Sequence, residues 1–266
     1  MNDEFKVSML ASGSSGNVTY IETPEHKVLV DAGLSGKKIE TLMQSIGRSL
    51  NDVDQLFVTH EHVDHIKGVG ILARKYGMPV YANEKTWQVM SDKIGTINPE
   101  QKQIFEAGQT KLFGDLDVES FSVSHDAADP QFYLFHHANK TFAMLTDTGY
   151  VSGQVAGLIN NADAILMEAN HDVAMLRYGG YAWSLKQRIL GDEGHLSNED
   201  GALTLANIIG SNTKQVYLGH LSQENNQVPL AHLTVEQILQ ENDLGVNHDF
   251  SLFDTNPDRA TTLASI

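Results

Sequence analysis

Four side chains of the types that bind metal ions lie within residues 60–65, as His60, His62, Asp64 and His65. They follow a predicted strand and precede a predicted helix, so they lie on a loop whose two ends are fixed. Because residues two apart in an extended loop point to the same side, His60 and His62 can share one metal ion, while Asp64 and His65 turn toward a second. The alternative, a polar loop whose histidines only cap the helix, is disfavoured by four such residues so close together. Imidazole and carboxylate ligands suit zinc, manganese or iron, so the identity of the metal stays open.

The same run matches the HxHxDH signature of the metallo-β-lactamase superfamily, which this sequence resembles. The family pattern expects four further residues at strand ends, and the sequence supplies them in the expected order as Asp31, His125, Asp147 and His220. Alone, a histidine such as His125 or His220 is more often structural than a metal ligand. Their order and their position after predicted strands favour the metal site.

The resemblance implies a dinuclear site with a definite division of ligands. His60, His62 and His125 would hold the first metal ion, Asp64, His65 and His220 the second, and Asp147 would bridge the two. Asp31 would orient a ligand histidine, as metal-bound imidazoles generally require. Two divalent ions (zinc, manganese or iron) about 3.5–4 Å apart can share a hydroxide and lower its pKa, so the implied nucleophile is a metal-bridging hydroxide. Asp64 and Asp31 would thus serve catalysis through the metal site.

Further segments resemble a narrower group, the WalJ/YycJ/VicX-like proteins. The matching segments span nearly the whole chain and comprise residues 10–17, 59–65, 146–149, 168–172, 181–188, 194–198 and 218–222. This resemblance implies a DNA exonuclease of 5′→3′ direction. It also implies a functional link to a two-component system that regulates the cell wall.

The predicted fold is an α/β sandwich in a single domain over residues 1–266. Predicted strands fall into two groups with helices between and after them, which favours a sandwich over one doubly wound sheet. The superfamily resemblance narrows this to a four-layer αββα sandwich. The polar tail after Asn256 is predicted to be flexible.

Other residues are candidates for catalysis or for phosphate contact. His195 lies on a glycine-flanked loop before a capped helix and is not needed as a ligand, so it can donate a proton to a leaving oxygen. A structural hydrogen-bonding role is the alternative. His171 can serve similarly. Ser14, Ser15 and Asn17 belong to a turn of small residues that can cradle an oxyanion, although such a sequence is more often only a turn.

A basic and aromatic stretch follows in the second half of the chain. Arg177 and Lys186 flank Tyr178, Tyr181 and Trp183, and in an acidic protein such a stretch can contact phosphates and bases. The alternative is an amphipathic segment that packs Trp183 into the core, and the sequence slightly favours that alternative.

Composition excludes several classes of protein and site. The absence of Cys excludes disulfides and thiolate metal sites. The net charge of −16 argues against binding nucleic acid by general phosphate attraction, but two divalent ions would reverse the charge locally. An acidic start and the lack of a long apolar window predict a cytoplasmic protein without membrane association.

The leading functional hypothesis is a metal-dependent phosphodiesterase that acts on nucleic acid, with DNA as its substrate. An ester hydrolase such as a thioesterase or a lactonase is the first alternative, because the same seven ligands serve that chemistry. The second alternative is a metal-binding regulatory partner of the two-component system, with little turnover. A true β-lactamase is disfavoured because that role requires export.

Overall fold

The computed structural model describes residues 4–266, which divide into two compact units. Unit 1 contains residues 4–122, 127–139 and 255–266, and unit 2 contains residues 123–126 and 140–254. The single domain expected over residues 1–266 stays a prediction, and its first three residues lie outside the described part.

The elements alternate between strands and helices along the chain. The strands are β1 (Lys6–Ala11), β2 (Val18–Glu22), β3 (Lys27–Val30), β4 (Gln55–Phe57), β5 (Val80–Ala82), β6 (Lys102–Ile104), β7 (Thr110–Phe113), β8 (Leu116–Ser122), β9 (Gln131–His137), β10 (Lys140–Leu145), β11 (Ala164–Glu168), β12 (Gln215–Gly219), β13 (Ser251–Asp254) and β14 (Ala264–Ser265). The α-helices are α1 (Gly36–Ser45), α2 (Val63–Ile66), α3 (Val69–Tyr76), α4 (Glu84–Ile94), α5 (Gly153–Ile159), α6 (Val173–Tyr178), α7 (Trp183–Ile189), α8 (Asn198–Ile208) and α9 (Val228–Glu241).

Unit 1 is built on a mixed sheet with the strand order β14-β1-β2-β3-β4-β5-β6. The strands from β14 to β3 pair antiparallel, and those from β3 to β6 pair parallel. Because parallel strands end at the same edge of a sheet, the residues that follow β3 and β4 meet there. The Asp31 backbone N–H donates to the Phe57 carbonyl at 2.8 Å, which places Asp31 beside the start of the histidine loop.

Both faces of this sheet are covered within unit 1. On one face, Ile39, Leu42 and Met43 of the amphipathic helix α1 join the apolar cluster that also contains Trp87 of α4. On the other face, the Phe57 ring lies 5.4 Å from Tyr133 and 5.9 Å from Phe113, whose strands belong to the antiparallel set β7-β8-β9. Helices, a sheet and a second strand layer are the arrangement expected of the predicted sandwich.

Unit 2 contains four parallel strands in the order β10-β11-β12-β13. Helices α8 and α9 pack on one another and contact this sheet. The predicted capping of α8 is confirmed, since the Ser197 hydroxyl accepts from the Asp200 backbone N–H at 3.1 Å. A side chain at Gly201 would overlap the Glu168 carbonyl, so glycine lets α8 approach the end of β11 closely.

Two local predictions are corrected. The loop of residues 60–65, expected to be extended throughout, becomes helical at Val63, where α2 begins, so Asp64 and His65 lie on a helical turn with His62 at its N-cap. The tail after Asn256, expected to be flexible, is held along β1: Val7 pairs with Ala264 of β14, and the Ser8 hydroxyl donates to the Thr261 carbonyl at 2.8 Å. The prediction rested on the polar composition of the tail, which does not show that β1 has an unpaired edge with which the tail can pair.

None of the helices in residues 4–266 has the length and apolar character needed to span a membrane.

Candidate functional site

Asp31 organises the histidine loop of unit 1. The residue follows β3 in a left-handed conformation (φ 59°) and is buried. Its carboxylate accepts from the Thr59 N–H and hydroxyl, both at 2.9 Å, and from His65 Nδ1 at 2.8 Å. Burial raises the pKa of Asp31, and the contacts with His65 and Thr59, which stabilise the carboxylate, act against that rise.

The loop brings its predicted ligands together. The His60 ring lies 4.6 Å from the His62 ring and 4.1 Å from the His65 ring, and His65 Nε2 lies 3.5 Å from Asp64 Oδ2. Since Asp31 binds His65 Nδ1, the opposite nitrogen of that ring is the one turned toward the carboxylate of Asp64. This is the grouping of donors that the spacing of residues 60–65 predicts.

Backbone contacts fix the position of this loop. The Asp64 carbonyl accepts from the Asn17 N–H at 2.8 Å, and the His65 carbonyl accepts from the Ala32 N–H at 2.8 Å. A Cβ at Gly33 would overlap the Asp64 carbonyl oxygen, so only glycine permits this approach. The donors are therefore held by the fold before any ion binds.

The site of unit 2 stands on the ends of three parallel strands. Asp147 follows β10, Glu168 ends β11 and His220 follows β12, and Asp147 and His220 both have left-handed backbone angles (φ 49° and 56°). Such angles in non-glycine residues cost energy and cluster at functional sites. His220 Nε2 lies 3.1 Å from Asp147 Oδ1, and His125 Nε2 lies 3.9 Å from the same oxygen. Asp147, His125 and His220 are thus brought together in unit 2.

His195 lies beside this group. Its ring centroid is 5.0 Å from that of His125 and 5.2 Å from that of His220, and its Nδ1 is 3.9 Å from Asp147 Oδ1. The side chain is 20% exposed, whereas those of its histidine neighbours are almost fully buried. His195 is therefore the histidine of this group with the most access to solvent.

Glu168 is the residue that the sequence interpretation missed. Its fully buried carboxylate accepts from His195 Nδ1 at 2.8 Å, lies 3.2 Å from His220 Nδ1, and accepts from the backbone N–H groups of Thr148 and Leu196 at 3.1 Å each. Burial alone would raise the pKa of Glu168, but the charge and hydrogen bond of His195 and the bond from His220 outweigh it and lower the pKa to about 2. The available signal was its place at the end of a buried apolar strand, like Asp147.

The chemistry of these donors fits divalent metal ions. Histidines that bind metals commonly give their second nitrogen to a carboxylate or a carbonyl. Here His65 Nδ1 bonds to Asp31, His220 Nδ1 lies by Glu168, and His125 Nδ1 bonds to the Gly194 carbonyl at 3.1 Å. In each of these rings Nε2 is therefore the nitrogen that could bind a metal ion.

Asp147, Glu168, His195 and His220 place one donor atom each within 4.8 Å of one another, as metal ligands do. The four hydrogen-bond donors around Glu168 occupy its oxygens, so we assign Glu168 to orienting the histidines and not to binding the ion.

The three residues of the turn that were predicted to contact phosphate differ in their exposure. Ser14 and Ser15 are exposed, whereas Asn17 is buried, with its amide bonded to Gly13 and 3.2 Å from His65 Nε2. Asn17 therefore ties the turn to the histidine loop. The sequence could not show this burial because a turn of small residues is usually exposed.

Two more candidates are corrected, and one stays accessible. His171, expected to be accessible to a substrate, is buried, and burial lowers its pKa to about 4, so it is a neutral interior histidine. Lys186 is buried with its ammonium donating to the carbonyls of Arg177 and Gly179, so it closes a loop. The Arg177 side chain is exposed. Trp183 is also exposed, so the alternative that packed it into the core is wrong.

Comparison with known proteins identifies the family. The model of the β-lactamase superfamily domain matches residues 26–221. The exodeoxyribonuclease WalJ of Streptococcus pneumoniae is 60% identical over 264 residues, which cover 98% of each chain. The exodeoxyribonuclease YycJ of Bacillus anthracis is 55% identical over 256 residues, which cover 96% of this chain and 97% of the relative.

A solved structure supports the fold independently. The metallo-β-lactamase fold protein YhfI of Bacillus subtilis superposes with a TM-score of 0.69 at 15% identity, covering 97% of this chain and 99% of YhfI. These matches confirm the predicted α/β sandwich and the resemblance from which its layers were inferred. The chain belongs to the metallo-β-lactamase superfamily and, within it, to the group of WalJ and YycJ proteins.

Proposed function

We propose that the protein is a metal-dependent phosphodiesterase that removes nucleotides from the end of a DNA strand. The observation that carries this proposal is the Glu168–His195 pair beside Asp147, in a chain 60% identical to an exodeoxyribonuclease over nearly its full length. Cleavage of a phosphodiester needs charge neutralisation at phosphorus and a proton for the leaving oxygen.

Two divalent ions, of zinc, manganese or iron, are proposed as the cofactors. The ligands would be those that the family pattern implies: His60, His62, Asp64, His65, His125, Asp147 and His220. Bound ions would lower the pKa of a water molecule and offset the negative charge of the phosphate. The anchored imidazoles and the absence of thiolates support this assignment.

His195 is proposed to supply the proton. Its Nδ1 donates to Glu168 at 2.8 Å, which leaves Nε2 as the atom that can transfer a proton. Glu168 stabilises the protonated imidazole and fixes the ring orientation, and the partial exposure of His195 lets a substrate reach it. The ordinary structural role considered for His195 does not require that exposure.

Substrate class can be tested directly with purified protein. The protein, supplied with manganese or zinc, is incubated with DNA labelled at the 5′ or the 3′ end, with a thioester and with a bis-aryl phosphodiester. Stepwise shortening of DNA is expected, and the position of the label reports the proposed 5′→3′ direction. Cleavage of the thioester alone would show an ester hydrolase, and no hydrolysis with any metal would favour a regulatory protein.

The proton donor is tested by replacing His195 with alanine. The variant is expected to keep its metal content and to lose about 10²–10⁴-fold in turnover. The matched control is His248→Ala. His248 lies between α9 and β13 of unit 2, and its side chain is 87% exposed. Equal turnover in the His195 and His248 variants contradicts the role of His195. A functional link to a two-component system stays a prediction.

A further inference from the structure

Exposed aromatic side chains are concentrated in unit 2. Within residues 4–266, four aromatic side chains are more than a third exposed, and all belong to this unit: Tyr150, Tyr178, Trp183 and Phe253. Tyr178 is 90% exposed and Trp183 is 63% exposed. Large rings are normally buried, so the exposure of Tyr178 and Trp183, five residues apart in the chain, marks a surface that can interact with another molecule.

The segment that carries Tyr178 and Trp183 is fixed in place. Tyr178 ends α6 and Trp183 begins α7, and residues 179–182 join the two helices. The buried ammonium of Lys186 donates to the carbonyls of Arg177 at 2.8 Å and Gly179 at 2.7 Å. These two hydrogen bonds fix the position of the connection between α6 and α7. The rings therefore point outward from an ordered loop, and ordering them on binding costs little entropy.

This segment adjoins the residues of the proposed reaction. The His195 N–H donates to the Ile189 carbonyl at the end of α7 at 3.0 Å. Arg188 of α7 forms an ion pair with Asp126, the residue after His125. Tyr150 lies on the loop that follows Asp147, and its neighbour Gly149 packs against the turn at Asp192. Trp183 thus lies on a helix that is bonded to the loops of His125 and His195, and the end of α6, which carries Tyr178, is bonded to that helix through Lys186.

The chemistry of this surface favours unpaired bases as its ligand. In a chain of net charge −16, electrostatic attraction to DNA phosphates contributes little to binding. The segment of residues 177–188 offers only two exposed arginines, Arg177 and Arg188. Aromatic faces bind bases by stacking, without regard to sequence, but only where the base is not already stacked in a duplex. A strand whose terminal nucleotides are unpaired offers such faces, whereas a blunt duplex does not.

Resting on the proposed function, we propose that Tyr178 and Trp183 form a stacking platform for unpaired bases of the DNA strand that is being degraded. The platform makes the protein prefer an end with several unpaired nucleotides over a blunt end. It acts in binding and takes no part in bond cleavage.

Tryptophan fluorescence reports on the platform directly. The chain has two tryptophans, and Trp87 is buried, so a nucleic-acid ligand in contact with the surface quenches Trp183 alone. The metal-loaded protein is titrated with a phosphorothioate oligothymidylate and with a blunt duplex that carries the same backbone modification. We expect quenching by the single strand at concentrations about tenfold below those needed for the duplex. Trp183→Phe abolishes the quenching and keeps the affinity, as measured by anisotropy of a labelled oligonucleotide.

Alanine variants separate the platform from the reaction. Tyr178→Ala and Trp183→Ala are each expected to raise the dissociation constant for the single strand about tenfold, and that for the blunt duplex less than twofold. Their hydrolysis of a saturating bis-aryl phosphodiester stays at the wild-type rate, because the platform takes no part in bond cleavage. Leu233→Ala, which removes another exposed apolar side chain of unit 2, is the control and leaves both affinities unchanged.

Two results overturn the platform. One is wild-type affinity for the single strand in both alanine variants; the other is an equal loss for single strand and blunt duplex, which indicates a different partner for the rings. Failure of the proposed function has its own signature: a wild-type protein that cleaves neither DNA nor the small phosphodiester.

Discussion

Replacing Glu168 by glutamine tests whether a buried negative charge organises the site of unit 2. The carboxylate faces four N–H groups: one oxygen faces the imidazoles of His195 and His220, and the other faces the backbone of Thr148 and Leu196. Glutamine keeps the shape but replaces one oxygen by an NH₂ group, which cannot accept. Two of the four donors must therefore lose their acceptor in either orientation of the amide.

The magnitude follows from which pair is lost. Hydrogen bonds to a charged group contribute about 1.5–3 kcal/mol each, so losing the backbone pair costs about 3–6 kcal/mol of folding free energy. If the amide NH₂ faces the imidazoles instead, each proton moves to Nε2. At His220, Nε2 is the atom that lies 3.1 Å from Asp147, and once protonated it cannot bind a metal ion. We expect metal affinity to fall about 10–100-fold and turnover at saturating metal to fall about 10²-fold or more.

The assay is metal binding in competition with a chromogenic chelator, followed by DNA hydrolysis at saturating metal and thermal unfolding of the metal-free protein. Glu193→Gln is the matched control, because Glu193 lies two residues before His195 with an exposed side chain, and its replacement removes the same charge. Should Glu168→Gln match Glu193→Gln in metal affinity, turnover and stability, the role assigned to Glu168 is wrong.

Three further predictions concern the histidine loop and an interior histidine. Asp31→Asn removes the anionic acceptor of His65 and should weaken metal binding about 10–100-fold, while the exposed Asp52→Asn should not, as measured by the same chelator competition. Gly33→Ala forces a Cβ into a backbone carbonyl and should cost about 3 kcal/mol or more by urea unfolding, whereas Gly153→Ala meets open space and should be tolerated; equal midpoints refute the packing argument. Burial holds the pKa of His171 at about 4, below the value of about 6.5 when unfolded, so its contribution to the stability of the metal-free protein is complete above about pH 6.5 and falls by about 3 kcal/mol toward pH 4. His171→Gln should lose that pH-dependent part, and unfolding curves of equal pH dependence for both proteins would contradict it.

The part of the site that was predictable from sequence is the part encoded locally. Residues 60–65 follow a strand directly, and their spacing predicted that His60 lies with His62 and Asp64 with His65. In the structure the His60 and His62 rings are 4.6 Å apart, and His65 Nε2 is 3.5 Å from Asp64 Oδ2. The outlying Asp31 was placed through the family pattern, and its bond to His65 gives that placement a physical reason. The αββα fold followed in the same way, from the order of elements and the resemblance.

Glu168, Lys186 and His171 have positions that depend on the tertiary structure and could not be predicted from the sequence. The partners of Glu168 lie 20 or more residues away in the chain, so no local sequence pattern indicates that Glu168 orients histidines. Lys186 and His171 are polar residues in polar stretches, and only the tertiary structure shows that both are buried. The exposure of Trp183 is the converse case, since an aromatic residue in an amphipathic segment is more often in the core.

Metal titration of DNA hydrolysis tests the central claim most directly. Protein stripped with a chelator is reconstituted with increasing equivalents of manganese or zinc, and the shortening of end-labelled DNA is followed at each step. We expect no shortening without metal and a maximum rate at two equivalents of metal per chain. Undiminished shortening in the presence of the chelator, or none at any metal concentration, would contradict a dinuclear metal-dependent exonuclease.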